Sequence, residues 1–101
     1  MATIQEMMQA KSKDIQNHQT QAISLKRTQR GIAELIIDEA QTAASRFAPF
    51  NSHHEGFAVL KEEVDELWDE VKRKSPDKEK LKREAIQVGA MALRFIHDLC
   101  E

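Results

Sequence analysis

Residues 52–74, SHHEGFAVLKEEVDELWDEVKRK, determine the fold class, because they carry the clearest helical pattern in the sequence. Ser52 and Glu55 match the S-x-x-E capping box, which marks the first turn of an α-helix. Acidic residues then fill most of the segment and bases occupy 72–74, an order that complements the helix dipole. Apolar residues recur at helical spacing along one face, namely Phe57, Leu60, Val64, Leu67, Trp68 and Val71. The stretch therefore predicts an amphipathic helix.

Two further helices are predicted on either side of this segment. Residues 28–47 carry an apolar stripe that ends before Pro49, since proline disfavours helical geometry in the residue preceding it. Ser75, followed by Pro76, suits the N-cap of a last helix over about residues 77–99. That helix is apolar on two faces, so we expect the second face to meet another subunit. Gly89 on this face permits close approach of a neighbouring helix.

The composition also favours an all-α chain. The 101 residues include three Gly, two Pro and no Tyr, and helix-favouring residues predominate. No apolar run approaches the roughly 20 residues of a transmembrane helix, so no membrane partner is expected. The net charge of −2 demands no nucleic-acid partner, and the single Cys100 excludes an internal disulfide and a CxxC zinc site. With no visible secretory signal, the cytoplasm is the expected location.

We predict two parts of the chain, an N-terminal helical arm or tail over residues 1–27 and a helical domain over residues 28–101. The first part is polar and rich in Gln, and its apolar heptad is too irregular for a sustained coiled coil. Both an arm ordered against a partner and a frayed tail agree with this pattern. A chain of this length buries a modest core, so the bundle is expected to be completed by homo-oligomerisation.

Carboxylates on two of the predicted helices form a candidate site. Glu63, Glu66 and Glu70 climb one flank of the helix in residues 52–74, where their like charges repel. Glu84 falls on the core-facing arc of the last helix, where a carboxylate is rare unless it is paired or bound to a metal. If the two helices pack antiparallel across their short connection, Glu63 and Glu66 can face Glu84 and Gln87.

Two interpretations of these carboxylates are open from spacing alone. Converging oxygen ligands on facing helices suit Mg²⁺ or Mn²⁺ rather than zinc. In the alternative interpretation, Glu84 forms an ordinary surface ion pair with Lys80, Arg83 or Arg94. The sequence shows no Ser-His-Asp or Cys-His arrangement and no Walker-type glycine loop.

The segments HEGFAVLKEEVDELWDEV, residues 54–71, and REAIQVGAMALRFIHDL, residues 83–99, resemble small MazG-like proteins of phages and bacteria. These belong to the all-α nucleoside triphosphate pyrophosphohydrolases, whose signature is EExxE…ExxD. Here the signature reads Glu62-Glu63-x-x-Glu66 and, 18 residues later, Glu84-x-x-Gln87. The resemblance implies a helical bundle that assembles as dimers or tetramers. It also implies hydrolysis of a nucleoside triphosphate to the monophosphate and pyrophosphate with Mg²⁺.

The resemblance assigns a role to each matching residue. Glu63, Glu66, Glu84 and Gln87 occupy the metal-ligand positions, and Glu62 is placed to orient or deprotonate the attacking water. Gln87 stands where the family has Asp, and its uncharged amide is expected to bind a cation more weakly.

Two basic residues, Arg94 and Lys82, are candidates for contact with the substrate phosphates. Because Gln87 carries no charge, the chain is alternatively a weakened or inactive relative, acting as a nucleotide-binding module or as a helical interaction or assembly module.

Overall fold

The computed structural model describes residues 28–101, and within them the protein is built from three α-helices without any strand. Helix α1 covers residues 28–46, α2 is His53–Val71 and α3 is Lys78–Cys100. The predicted all-α class is therefore confirmed for this part of the chain. In length and hydrophobicity, none of these described helices is suited to crossing a membrane.

Residues Ala33–Glu101 form one compact unit, and all the contacts and cavities described below belong to it. The arm predicted over residues 1–27 lies outside the described residues, so it stays a prediction.

Helix α2 begins where the capping box predicts. Ser52 is the N-cap, and its hydroxyl accepts a hydrogen bond from the backbone N–H of Glu55 at 3.0 Å. The Glu55 carboxylate in turn accepts from the backbone N–H and the side-chain amide of Asn51, both at 3.3 Å. The helix ends at Val71, before the basic residues that the sequence pattern included in it.

Helix α3 begins at a different cap from the one predicted. Asp77, not Ser75, is the N-cap, and its Oδ1 accepts from the backbone N–H of Glu79 at 2.9 Å. The prediction of Ser75 as the N-cap is wrong because a hydrogen bond fixes the backbone at Asp77. The Asp77 N–H donates to Oε1 of Glu70 at 2.8 Å.

Glu70 is the centre of the turn between α2 and α3. It is 1% exposed, and its carboxylate pairs with Arg73 at 3.2 Å and with Lys80 at 3.5 Å. The pKa of Glu70 lies below its ordinary value, chiefly because the Asp77 N–H donates to the ionised carboxylate and also because Arg73 and Lys80 attract it. Glu70 therefore stabilises the turn, although helical spacing places it on the same flank as Glu63.

Helices α2 and α3 pack antiparallel, as the short connection predicts. Gly56, near the start of α2, lies against Phe95 and Leu99 near the end of α3. Glu70, near the end of α2, contacts Asp77 just before α3. A Cβ atom on Gly56 would lie 2.7 Å from Cδ2 of Phe95, so glycine is what allows the helices this close approach.

A small core joins α1 to α3. Gly89 lies beneath Ile36, since a Cβ atom at Gly89 would be 3.0 Å from Cδ1 of that side chain. The predicted close approach at Gly89 is thus confirmed. The expectation that this face meets another subunit is wrong at Gly89, because the neighbouring helix is α1 of the same chain. The buried apolar residues are mostly small, which suits closely packed helices: Ala40, Ala43, Phe50, Ala90 and Met91.

Much of the apolar surface of α2 faces solvent. Leu60 packs against the core, but four residues of the predicted stripe lie on the outer side of the helix. We call these four the outer α2 stripe: Phe57, Val64, Trp68 and Val71, which are 60%, 45%, 58% and 46% exposed. An apolar face of this kind on a short chain is suited to a protein contact.

Candidate metal centre

Three of the predicted carboxylates meet between α2 and α3. Glu63, Glu66 and Glu84 each offer one oxygen, and these oxygens lie within 4.8 Å of one another. Glu63 and Glu66 are about one turn apart on α2, and antiparallel packing brings Glu84 of α3 to the same place. Glu63 and Glu84 are partly buried and Glu66 is exposed, so the cluster is accessible to solvent.

Crowding within this acidic cluster changes the acidity of Glu63. Partial burial has the largest effect, followed by the charge of Glu66 and a hydrogen bond with it, and then by the charges of Glu84 and Glu62. Together they raise the pKa of Glu63 from its ordinary value of 4.5 to about 7. A divalent cation at the cluster would oppose this effect, because positive charge favours the ionised carboxylate.

The alternative of a surface ion pair at Glu84 is not supported within residues 28–101. Lys80 pairs with Glu70, and the Arg94 guanidinium donates to the carbonyl of Ala48. The ion pairs of the described residues leave Glu84 without a basic partner. Its carboxylate is therefore available to the acidic cluster.

A cavity of about 650 Å³ adjoins the cluster, within the roughly 300–1,000 Å³ typical of small-molecule sites. Glu62, Glu63 and Gln87 line it from α2 and α3. Helix α1, the loop after it, and other parts of α2 and α3 supply the rest of its wall. The other polar lining residues are Glu39, Thr42, Arg46, Asn51, Glu55 and Arg94, and the apolar ones are Ala43, Phe47, Ala48, Pro49, Phe50, Val59 and Met91.

Gln87 has a partner that the sequence pattern did not predict. Its Nε2 donates to Oε1 of Glu39 at 2.7 Å in a partly buried hydrogen bond between α3 and α1. A signal for Glu39 was present in the sequence. It follows Ile36 by three residues and precedes Ala43 by four, so it lies on the apolar face of α1 as Glu84 lies on that of α3.

Arg94 lines the cavity, but its guanidinium also makes contacts that hold the fold together. The residue is 6% exposed, its Nη2 donates to the Ala48 carbonyl at 3.1 Å, and its Nη1 contacts Sδ of Met91 at 3.7 Å. The guanidinium carbon lies 4.5 Å from the centroid of the Phe50 ring. Asp98 adds to this anchor, since its Oδ2 accepts from the Phe50 N–H at 3.1 Å. Arg94 therefore holds the loop after α1 in place.

The structure does not bring Lys82 to the cavity beside Glu63. Lys82 lines a neighbouring concavity of about 430 Å³, together with Glu79 and Arg83. The two cavities share lining residues, namely Glu39, Thr42 and Gln87. Arg46, which the sequence pattern did not single out, lines the cavity next to the acidic cluster.

The donor set fits a hard divalent cation. Three carboxylates from two helices supply the oxygen ligands that Mg²⁺ and Mn²⁺ prefer. Among the described residues, neither His nor Cys belongs to the cluster, which disfavours zinc.

Comparisons of the chain with protein-family models, with curated proteins and with solved structures find no match.

Proposed function

We propose that the protein is a divalent-metal-dependent nucleoside triphosphate pyrophosphohydrolase of the MazG-like type. It would convert a nucleoside triphosphate and water to the monophosphate and pyrophosphate in the cytoplasm, where such substrates occur. The observation that carries the proposal is the meeting of Glu63, Glu66 and Glu84, of which Glu63 also lines a cavity of about 650 Å³. The resemblance to the family signature supports the same assignment, because these three residues occupy its acidic positions.

Each acidic residue has a distinct role in this proposal. Glu63, Glu66 and Glu84 hold Mg²⁺ or Mn²⁺, with Gln87 as a weaker, neutral ligand. When bound, the ion neutralises the triphosphate and the charge that develops on the leaving pyrophosphate. Glu62 lines the cavity beside Glu63, so it orients the attacking water and accepts its proton. The new bond joins the water oxygen to the α-phosphorus, and the bond to the pyrophosphate oxygen breaks.

The remaining cavity wall is suited to an anionic substrate with a flat base. Arg46 and Arg94 place positive charge on this wall and oppose the repulsion between carboxylates and phosphates. Phe47 is 64% exposed and lines the cavity, so its ring offers a stacking surface for a base. Trp68, by contrast, is absent from the cavity lining within the described residues.

A pyrophosphate-release assay tests the proposal. The purified full chain is incubated with each ribo- and deoxyribonucleoside triphosphate in Mg²⁺ or Mn²⁺, and released pyrophosphate is measured. We expect Glu63→Ala to reduce turnover to background. Asp69→Asn is the matched control, because Asp69 is an exposed carboxylate of α2 that pairs with Lys72 at 3.1 Å.

Two results would count against the enzyme. One is an absence of turnover with every nucleotide and both metals. The other is pyrophosphate release that is equal in the native protein, Glu63→Ala and Asp69→Asn, because such activity would come from a contaminant or from another site.

The outer α2 stripe supports assembly as a homo-oligomer, a dimer or a tetramer, as part of the same proposal. The stripe includes Trp68 and Phe57, both more than half exposed, on the helix that also carries Glu63 and Glu66. A second copy of this chain packed on the stripe would bury these side chains and add to a small core.

The bond between Gln87 and Glu39 favours a second candidate function. With its amide engaged, the site has one ligand charge fewer than the family signature, as expected of a relative that binds nucleotide without turnover or acts as a helical assembly module. Replacement by Gln87→Asp distinguishes the two functions. Mn²⁺ binding that appears only in Gln87→Asp would favour the inactive relative, whereas tight Mn²⁺ binding by the native chain would favour the enzyme.

A further inference from the structure

Glu39 and Gln87 form a polar pair at the wall of the cavity that adjoins the acidic cluster. Both side chains line this cavity, together with Glu62 and Glu63. The Gln87 amide donates to one Glu39 oxygen at 2.7 Å, and within residues 28–101 the other Glu39 oxygen has no hydrogen-bond partner. The pair is partly buried, where a charge-assisted hydrogen bond is stronger than one in water.

The packing of α1 on α3 establishes this pairing. Ile36 sits on Gly89, where a Cβ atom would be only 3.0 Å away, so the backbone of α3 can approach α1 closely. Glu39 lies about one turn after Ile36, and Gln87 lies two residues before Gly89. Ala40 and Ala90, both buried, are the immediate sequence neighbours of Glu39 and Gly89. The small residues thus bring a carboxylate of the first helix to the amide of the third.

The hydrogen bond determines which amide atom is left for another ligand. A glutamine side chain has one NH₂ group that donates and one carbonyl oxygen that accepts. Because the NH₂ group is engaged by Glu39, the carbonyl oxygen is the atom of Gln87 that remains able to bind a cation. Without Glu39, the amide could turn and present its NH₂ group, which cannot coordinate a metal.

We propose that Glu39 is a positioning residue of the candidate metal centre, which orients the Gln87 amide and supplies the negative charge that the amide lacks. This inference rests on the proposed function, since it assumes that a divalent cation binds at Glu63, Glu66 and Glu84. It adds α1 to a site that the sequence signature places on α2 and α3 alone. Partners that orient a metal ligand typically change metal affinity about 10- to 100-fold when removed.

Titration of Mn²⁺ into the full chain tests the inference without any measurement of turnover. Glu39→Gln keeps the size of the side chain and removes its charge. The exchange variant Glu39→Gln/Gln87→Glu keeps both the charge and the hydrogen-bonding capacity of the pair. Glu34→Gln is the charge-matched control, because Glu34 is an exposed carboxylate of the same helix outside the cavity lining. Free Mn²⁺ is counted by electron paramagnetic resonance, and Tm is measured on the same samples.

We expect Glu39→Gln to weaken Mn²⁺ binding about 10- to 100-fold, whereas Glu34→Gln binds like the native chain. The exchange variant should recover most of the lost affinity. The values of Tm for Glu39→Gln and Glu34→Gln should be similar, because an amide at position 39 can pair with either the NH₂ group or the carbonyl oxygen of Gln87. The pair then persists without fixing which of these atoms faces the cation.

Native-like Mn²⁺ binding by Glu39→Gln would overturn the inference. Failure of the exchange variant to recover affinity would overturn the positioning role, as would a loss of affinity that is matched by a large fall in Tm. A Glu63→Gln arm separates this failure from that of the proposed function. If Glu63→Gln loses Mn²⁺ binding, the metal centre is supported independently of the result for Glu39→Gln. If Glu63→Gln binds Mn²⁺ like the native chain, the metal centre and the inference both fail.

Discussion

Replacing Glu63 with Gln should make the metal-free protein more stable, because it removes the carboxylate that its neighbours crowd. The rise of its pKa from 4.5 to about 7 means that the folded state disfavours the ionised form. At about 1.4 kcal/mol per tenfold change in proton affinity, the penalty above pH 7 is at most about 3.5 kcal/mol. The cluster is accessible to solvent, so screening reduces the expected gain from Glu63→Gln to about 1 kcal/mol.

The pH dependence of this gain has a definite sign. Between pH 4.5 and about 7 the folded state binds more protons at Glu63 than the unfolded chain does, so stability falls as the pH rises through this window. Glu63→Gln lacks this titration. The Tm of the variant should therefore equal that of the native chain near pH 4.5 and exceed it by about 4–8 °C at pH 8, for a gain of about 1 kcal/mol.

Thermal unfolding followed by circular dichroism in EDTA measures this difference, with Asp69→Asn as the control for loss of an exposed carboxylate. Addition of Mg²⁺ or Mn²⁺ should raise the Tm of the native chain and of the control, but not that of Glu63→Gln, because only a folded site that binds the ion is stabilised by it. A Tm of Glu63→Gln at or below the native value at pH 8 in EDTA would refute the electrostatic crowding of the cluster.

Three further predictions concern the turn, the loop after α1 and the outer α2 stripe. Glu70→Gln should lower Tm at neutral pH, and its deficit relative to the native chain should shrink as the pH falls below 4.5, since the native advantage needs an ionised Glu70; a pH-independent deficit would contradict the ionic role. Arg94→Ala should lower the free energy of unfolding in urea by about 2–4 kcal/mol through loss of its contacts with Ala48 and Phe50. Unchanged stability would show that the guanidinium does not anchor the loop. Trp68→Glu should reduce the mass measured by light scattering, because it places a charge in the apolar outer α2 stripe; an unaltered mass would exclude this stripe as the oligomer contact.

Local patterns were sufficient for the helical class and for most of the candidate site. The start of α2 was predictable because a capping box acts between residues three apart, and Ser52 and Glu55 contact each other as that motif requires. Glu63, Glu66 and Glu84 were predictable as a group because helical periodicity and one short antiparallel connection relate them. These features depend on neighbours within a turn or across a single hairpin.

The tertiary structure decided which of several similar polar groups are paired. Helical spacing places Glu70 on the same side of α2 as Glu63 and Glu66. Its carboxylate nevertheless accepts a hydrogen bond from the backbone N–H of Asp77 and is not part of the acidic cluster. Gln87 donates a hydrogen bond to Glu39, which lies 48 residues away in the sequence. Helical periodicity places each residue on a face of its own helix, but it does not predict that the two side chains pair. The physical reason is that burial and charge pairing depend on all the elements packed around a group. A carboxylate can form an ion pair, be repelled by neighbouring carboxylates or remain solvated. Which of these occurs depends on the groups that the other helices place within a few ångströms of it.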